Sequence, residues 1–255
     1  MRLTFPVQFV IGSQVIHAHF ILESLAYMVG FQLMLFLRRR KGDSIRSLDR
    51  AMISSAAVFG AAIGSIVLGR LETHLWTWQG GKTIVGGLVG GLLCVEFAKK
   101  ALRISVSTGD VFALPIAVGT FIGRLGCFLE GLADHTYGLA TSLPWGIDFG
   151  DGIRRHPTQL YEVAIMLAVF ALLWRWRLRD KPVGWLFGVY LLFAGVERFL
   201  IEFLRAKDDR LLGPLTVAQV ASMVLIVIAA SLIAKYSHSP SPDPGPYLSQ
   251  ARARD

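Results

Sequence analysis

Two arginines and a carboxylate recur at i, i+4 and i+7 inside an apolar run: Arg198, Glu202 and Arg205 in ERFLIEFLR. On a helix they share one face, with Glu202 placed to pair with both cations, while Glu197 falls on a different face. A carboxylate holding two guanidiniums makes a fixed cationic patch, and the planar fork of arginine suits a phosphate. The same residues would also serve as an internal salt-bridge network; the excess of arginine over carboxylate on this face favours an anion. A denser constellation occupies residues 119–162. There Arg124 ends an apolar run within a Gly-rich turn, where backbone N–H groups and a guanidinium could together receive phosphate oxygens. Glu130, Asp134, His135, Asp148, Asp151, Arg154, Arg155 and His156 follow, and Pro157 then opens a helix carrying Gln159, Tyr161 and Glu162. A third set, His19, Glu23 and Tyr27, is spaced i, i+4, i+8 on one helix face. Glu23 is the carboxylate of this helix best suited to act as a base, although a buried His–Glu hydrogen bond that orients helices fits the spacing equally.

The elements that must position these groups are membrane helices. The chain has 255 residues, 53% of them hydrophobic and 17% charged, and a helix needs about 20 mostly apolar residues to cross a bilayer core. Apolar runs at 15–37, 51–69, 83–98, 109–127, 158–174, 183–204 and 214–234 predict an all-α polytopic membrane protein of about seven transmembrane helices. The first run lacks a basic region followed by a cleavage site, so it reads as a retained helix. Basic residues crowd the loops after the first, third and fifth runs, at 38–50, 99–103 and 175–181. Such loops stay in the cytoplasm, which puts the N-terminus outside, the C-terminus inside and the polar 128–157 loop on the outer side. Residues 1–236 form the membrane domain, and the Pro/Ser-rich stretch 237–255 is expected to be a disordered cytoplasmic tail. GAAIG at 60–64 and GGLVGG at 86–91 allow close helix approach in lipid. Gly80 and Gly81 could form a re-entrant turn.

The net charge of +8 sits in these loops rather than along one amphipathic face, which favours anionic phospholipid over nucleic acid as partner. The two cysteines, Cys94 and Cys127, lack CxxC spacing, so no metal, cofactor or disulfide framework is expected from the sequence.

Four segments carry a resemblance to the prolipoprotein diacylglyceryl transferases of bacterial inner membranes. They are AYMVGF at 26–31, WQGGKTIVGGLVGG at 78–91, GRLGCF at 123–128 with RHPTQLYE at 155–162, and ERFLIEFLRAKD at 197–208. The resemblance implies seven helices with the N-terminus outside. It also implies transfer of a diacylglyceryl group from phosphatidylglycerol to the cysteine thiol of a lipobox in a secreted precursor. Cations must then hold the leaving phosphate, and a thiol of pKa about 8.5 must become a thiolate. By matching positions the catalytic candidates are Arg124 and Arg198 for phosphate and Glu23 or His135 for the proton. The substrate-binding candidates are Tyr27, Gly126, Cys127, Tyr137, Gly138, His156, Gln159, Tyr161, Glu162, Glu202 and Arg205. The chain departs from the family pattern where Val85 replaces a histidine, Cys127 an asparagine, Leu132 an acid and Glu23 a tyrosine, and ADHTYG at 133–138 is longer than the usual loop. The expected activity is therefore diacylglyceryl transfer with a relocated base. The alternative is a phospholipid-binding protein of the same fold, or a transferase to another acceptor, that does not lipidate lipoboxes.

Overall fold

The computed structural model describes residues 4–41, 45–73, 83–104, 107–178, 182–207, 210–212 and 214–237. Among them are seven α-helices: α1 (Ala18–Lys41), α2 (Ser47–Thr73), α3 (Ile84–Ala101), α4 (Asp110–Glu130), α5 (Thr158–Trp176), α6 (Trp185–Glu202) and α7 (Val217–Ser237). Each coincides with one apolar run of the sequence to within a few residues. The Gly80–Gly81 turn, Lys181 and the expected tail beyond Ser237 lie outside the described residues.

This is a multi-pass membrane protein. Five helices, α1, α2, α4, α5 and α7, are long and apolar enough to cross a bilayer. The other two are interrupted by charge: Glu96, Lys99 and Lys100 in α3, and Glu197, Arg198 and Glu202 in α6. Such residues belong against protein or water rather than lipid, and in α6 all three are buried.

Three small antiparallel hairpins were not expected. Strands β1 (Gln8–Ile11) and β2 (Gln14–His17) precede α1, so the first apolar run begins as a strand rather than as a helix at residue 15. Its short β-branched runs, Val10–Ile11 and Val15–Ile16, flank Gly12, whose φ of 62° makes the turn. Strands β3 (Ile147–Asp148) and β4 (Arg154–Arg155) fold the long α4–α5 loop, and β5 (Arg210–Leu212) and β6 (Leu215–Thr216) lead into α7. Thr216 and Gln219 then exchange hydrogen bonds at α7's first turn, 3.0 and 3.2 Å, as a capping box.

The helices pair as α2 on α3, α1 on α4, and α6 on α7, with α4, α5 and α6 in mutual contact at the centre. Small residues make the α2–α3 contact close: a Cβ added at Gly60 would meet Cys94 and the Gly90 carbonyl, and one at Gly64 would meet Gly86. Both glycine motifs therefore face each other, as close packing in lipid requires. Between α4 and α6 a single carboxylate sets the register. Asp110, in the first turn of α4, accepts hydrogen bonds from the backbone N–H of Gly184 (2.8 Å) and Phe187 (3.0 Å), which start α6. Two otherwise unpaired helix N–H groups are satisfied there. At about 1.5 Å per residue, positions equally far from this cap stand at the same height. Arg124 is as far from Asp110 as Arg198 is from Gly184, so the cap brings the two arginines level across the helix pair.

Candidate functional site

The buried arginines meet in the core of the bundle, toward the end that carries the α4–α5 loop. Arg124, Arg198, Glu197, Thr120, Tyr190 and Val85 line one small, partly open cavity of about 20 Å³. Arg124 Nε lies 2.9 Å from Glu162 Oε2, and Glu162 is only 1% exposed. Arg198 pairs with Glu202, which also lies 3.9 Å from Arg205. The anticipated cluster of Arg198, Glu202 and Arg205 is thus real and internal, but α6 ends at Glu202 and Arg205 joins it from the segment beyond the helix, where it bridges to Gly138.

Three expectations are corrected. Arg124 is not at a Gly-rich turn: α4 continues to Glu130, so the backbone N–H groups around it are engaged within the helix. Gly126 instead lets α1 approach, because a Cβ there would sit 2.9 Å from His19 Cδ2. Glu197, set aside as lying on another face, is buried and lines the cavity beside both arginines. A helix packed against α4, α5 and α7 has protein on several sides, so two of its faces can both point inward. Finally, arginine does not outnumber carboxylate once Glu162 and Glu197 join Glu202 beside Arg124, Arg198 and Arg205. An entering phosphate must therefore take over arginine donors that now face carboxylates.

These pairs are loosely satisfied. The Arg124–Glu162 contact is short but lacks hydrogen-bond alignment, and both Glu162 oxygens, Glu197 Oε1 and both amide atoms of Gln159 are buried without a hydrogen-bond partner among the described residues. Buried polar groups are normally matched. Such unused capacity around two guanidiniums suits a headgroup with several oxygens.

The loop between α4 and α5 closes this end of the bundle. A 3₁₀ turn at Gly131–Asp134 follows α4, and Thr158 Oγ1 donates to the Thr136 carbonyl at 2.6 Å, tying the start of α5 to that turn. Gly138 N–H donates to the His156 carbonyl (3.0 Å) and Leu139 N–H to the Leu204 carbonyl (2.8 Å), while Ala206 N–H donates to the Tyr137 carbonyl (3.1 Å). Gly138 is required there: a Cβ would lie 2.6 Å from the His156 carbonyl oxygen and 2.8 Å from that of Leu204. The Arg155 guanidinium lies 4.9 Å from the Tyr137 ring centroid and pairs with Asp151 at 2.6 Å. That guanidinium holds the Asp151 carboxyl below its usual range. The lowered value means that the pair is intact above the ordinary carboxylate pKa and is lost only as pH falls further, through the depressed one. Tyr161 Oη accepts from Trp145 Nε1 (2.8 Å) and shares a 3.2 Å hydrogen bond with His156 Nδ1. The rings of Phe5, Phe128 and Phe149 pack edge to face and fasten the N-terminal segment to this loop.

The proposed bases stand apart from the cavity wall. Tyr27 Oη donates to Glu23 at 3.0 Å, as the i, i+4 spacing suggested, but Tyr27 is 71% exposed on the outside of the bundle. His19, one turn before Glu23 on α1, packs against Gly126 of α4. His135, at φ 55°, is exposed at the end of the 3₁₀ turn. Cys127 lies 3.9 Å from Arg124 Nη1, and Val85 is buried in the cavity wall. Sequence reading missed Thr120, Tyr190 and the Asp110 cap. An ionisable residue inside an apolar run was signal enough for Glu197; Thr120 and Tyr190 carry no comparable local mark.

Comparison with known proteins finds that the family described as Prolipoprotein diacylglyceryl transferase matches residues 6–235. The chain is 32% identical to a phosphatidylglycerol–prolipoprotein diacylglyceryl transferase of Geobacter sulfurreducens over 89% of this chain and 93% of the relative. It is 30% identical to one of Bordetella parapertussis, over 92% and 97%, and 33% identical to one of Cupriavidus metallidurans, over 82% and 86%.

Proposed function

The chain belongs to the prolipoprotein diacylglyceryl transferase family, and we propose that it moves the diacylglyceryl group of phosphatidylglycerol onto a lipobox cysteine of a secreted precursor. The observation that carries this reading is the level pair of buried arginines, Arg124 and Arg198, lining one cavity. Each offers forked donors to a phosphate whose charge grows as its ester bond breaks. Glu202, itself held by Arg205, keeps Arg198 in place, and Glu162 pairs with Arg124 from α5, with the buried Gln159 one turn before it. Tyr137, Gly138, His156 and Tyr161 shape the loop above it. Glu23, fixed by Tyr27, accepts the thiol proton, with His135 as the competing candidate. The test is purified protein in detergent with phosphatidylglycerol and a lipobox peptide. A thioether-linked diacylglyceryl peptide and free glycerol phosphate are expected. Lipid binding with no product under any lipid composition would replace this reading with the phospholipid-binding alternative.

The working membrane is the bacterial inner membrane, crossed seven times with the N-terminus outside. In support, the 131–157 loop, the 203–207 segment and the N-terminal hairpin gather at one end of the bundle, while Asp110, Gly184 and Tyr236 gather at the other. Lys207 reaches Glu72 near the end of α2 at 2.6 Å on the loop side. Reporter fusions after Lys41 and Arg103 are expected to read cytoplasmic and a fusion at Leu139 external. A cytoplasmic signal at Leu139 would put the site out of reach of a secreted precursor.

A further inference from the structure

His19 in the first turn of α1, Cys127 in the last turn of α4 and Asp134 at the end of the 3₁₀ turn converge from three elements. An imidazole nitrogen, a thiol sulfur and a carboxylate oxygen lie within 4.8 Å of one another, all from half-buried side chains. Tetrahedral zinc with these ligand types has donor-to-donor edges of about 3.3–3.8 Å, from bonds of about 2.0–2.3 Å, so small side-chain rotations close the set around an ion. Its assembly depends on Gly126, which lets the imidazole reach the surface of α4. Asp134 is oriented by the Thr136 hydroxyl, which donates to its carboxylate, and Arg124 Nη1 points a donor at the Cys127 sulfur from 3.9 Å. Partners of this kind commonly orient metal ligands. Charge also balances: a thiolate and a carboxylate neutralise a divalent cation, so the site sets no net charge against Arg124.

We propose that His19, Cys127 and Asp134 bind a zinc-class divalent cation whose fourth position takes the acceptor thiol. Three protein ligands with one open position is the arrangement of reactive rather than purely structural zinc. The role of that position rests on the transferase reading above. A thiol that coordinates such an ion is deprotonated, and its proton passes to Glu23, one turn along α1 from His19. The sulfur lone pair forms the S–C bond to the glyceryl carbon of phosphatidylglycerol as that carbon's C–O bond to phosphate breaks. Glycerol phosphate leaves with the bonding electron pair, beside Arg124.

Cobalt(II) is the probe for the full-length protein in detergent, because a thiolate–cobalt bond gives a near-ultraviolet charge-transfer band. One cobalt per chain is expected, with the band lost in Cys127→Ser and kept in Cys94→Ser. Affinity should fall at least about tenfold in His19→Ala and in Asp134→Asn; the latter, in a loop, serves if the cysteine variant does not fold. A lipobox peptide should strengthen the band, whereas the same peptide with serine for cysteine should not. No band in the wild type, or an unchanged band in Cys127→Ser, overturns the site. Full transfer by metal-stripped protein overturns its role while leaving the transferase reading intact. Cobalt binding with no transfer in any metal state upholds the site and overturns the transferase reading instead.

Discussion

Arg124→Ala is expected to lower the rate of thioether formation by about 10²–10³-fold or more, the usual loss when a donor to a developing oxyanion is removed from a dry site. The effect has two parts that measurement can separate. The guanidinium no longer meets the leaving phosphate, which lowers turnover. Glu162, 1% exposed and 2.9 Å from Arg124 Nε, is also left buried without its cation, which destabilises a fold by about 3–5 kcal/mol. Arg124→Lys keeps a charge for Glu162 but not the planar fork, so it should recover most of the stability and little of the rate. Arg198→Ala should behave alike, with Glu202 as the stranded carboxylate. Turnover and phosphatidylglycerol affinity, compared in variants shown to be folded at the assay temperature, provide the check, and thermal unfolding reads the stability loss separately. Wild-type turnover in folded Arg124→Ala and Arg198→Ala proteins would reduce the two arginines to packing residues.

Glu23→Gln is expected to cost about 10²–10⁴-fold in transfer, the range ascribed to a positioned proton acceptor, with little change in stability. The amide oxygen can still accept from Tyr27 Oη, so the substitution removes basicity and leaves the local geometry. His135→Ala should stay within about threefold of wild type by the same principle, because an exposed imidazole on a surface turn is not held at the bond being made. Val85→His should be tolerated without being required, since Val85, 2% exposed, faces Thr120, Glu197 and Arg124 across the cavity, where a buried imidazole finds polar partners. Rates for the three variants with a lipobox peptide decide the matter. A larger loss in His135→Ala than in Glu23→Gln would move the base to the loop, and product formed only after Val85→His would mean that the natural chain lacks this chemistry.

The helices and their order were legible in the chain itself, since run length and loop charge are local properties that need no knowledge of neighbours. The same holds for the Glu23–Tyr27 bond, the Arg198–Glu202 pair and the phosphate-suited arginines: spacing along one helix determines which side chains share a face. Hairpins β1–β2 and β3–β4 escaped because strands of two to four residues have too little periodicity to stand out beside long apolar runs.

Groups that meet across helices depend on rotation and axial register, which no local pattern encodes. Tertiary structure alone placed Glu197 in the cavity, because α6 is enclosed by neighbours on more than one face. It alone put Glu162 on Arg124, and it levelled Arg124 with Arg198 through the Asp110 cap on the start of α6. The convergence of His19, Cys127 and Asp134 is of the same kind. The sequence by itself determined that this is a helical membrane protein with ionisable groups in apolar surroundings, since composition and spacing carry that information. Which of those groups are neighbours was decided by packing, since a contact between distant segments exists only once the helices have set one another's height and rotation.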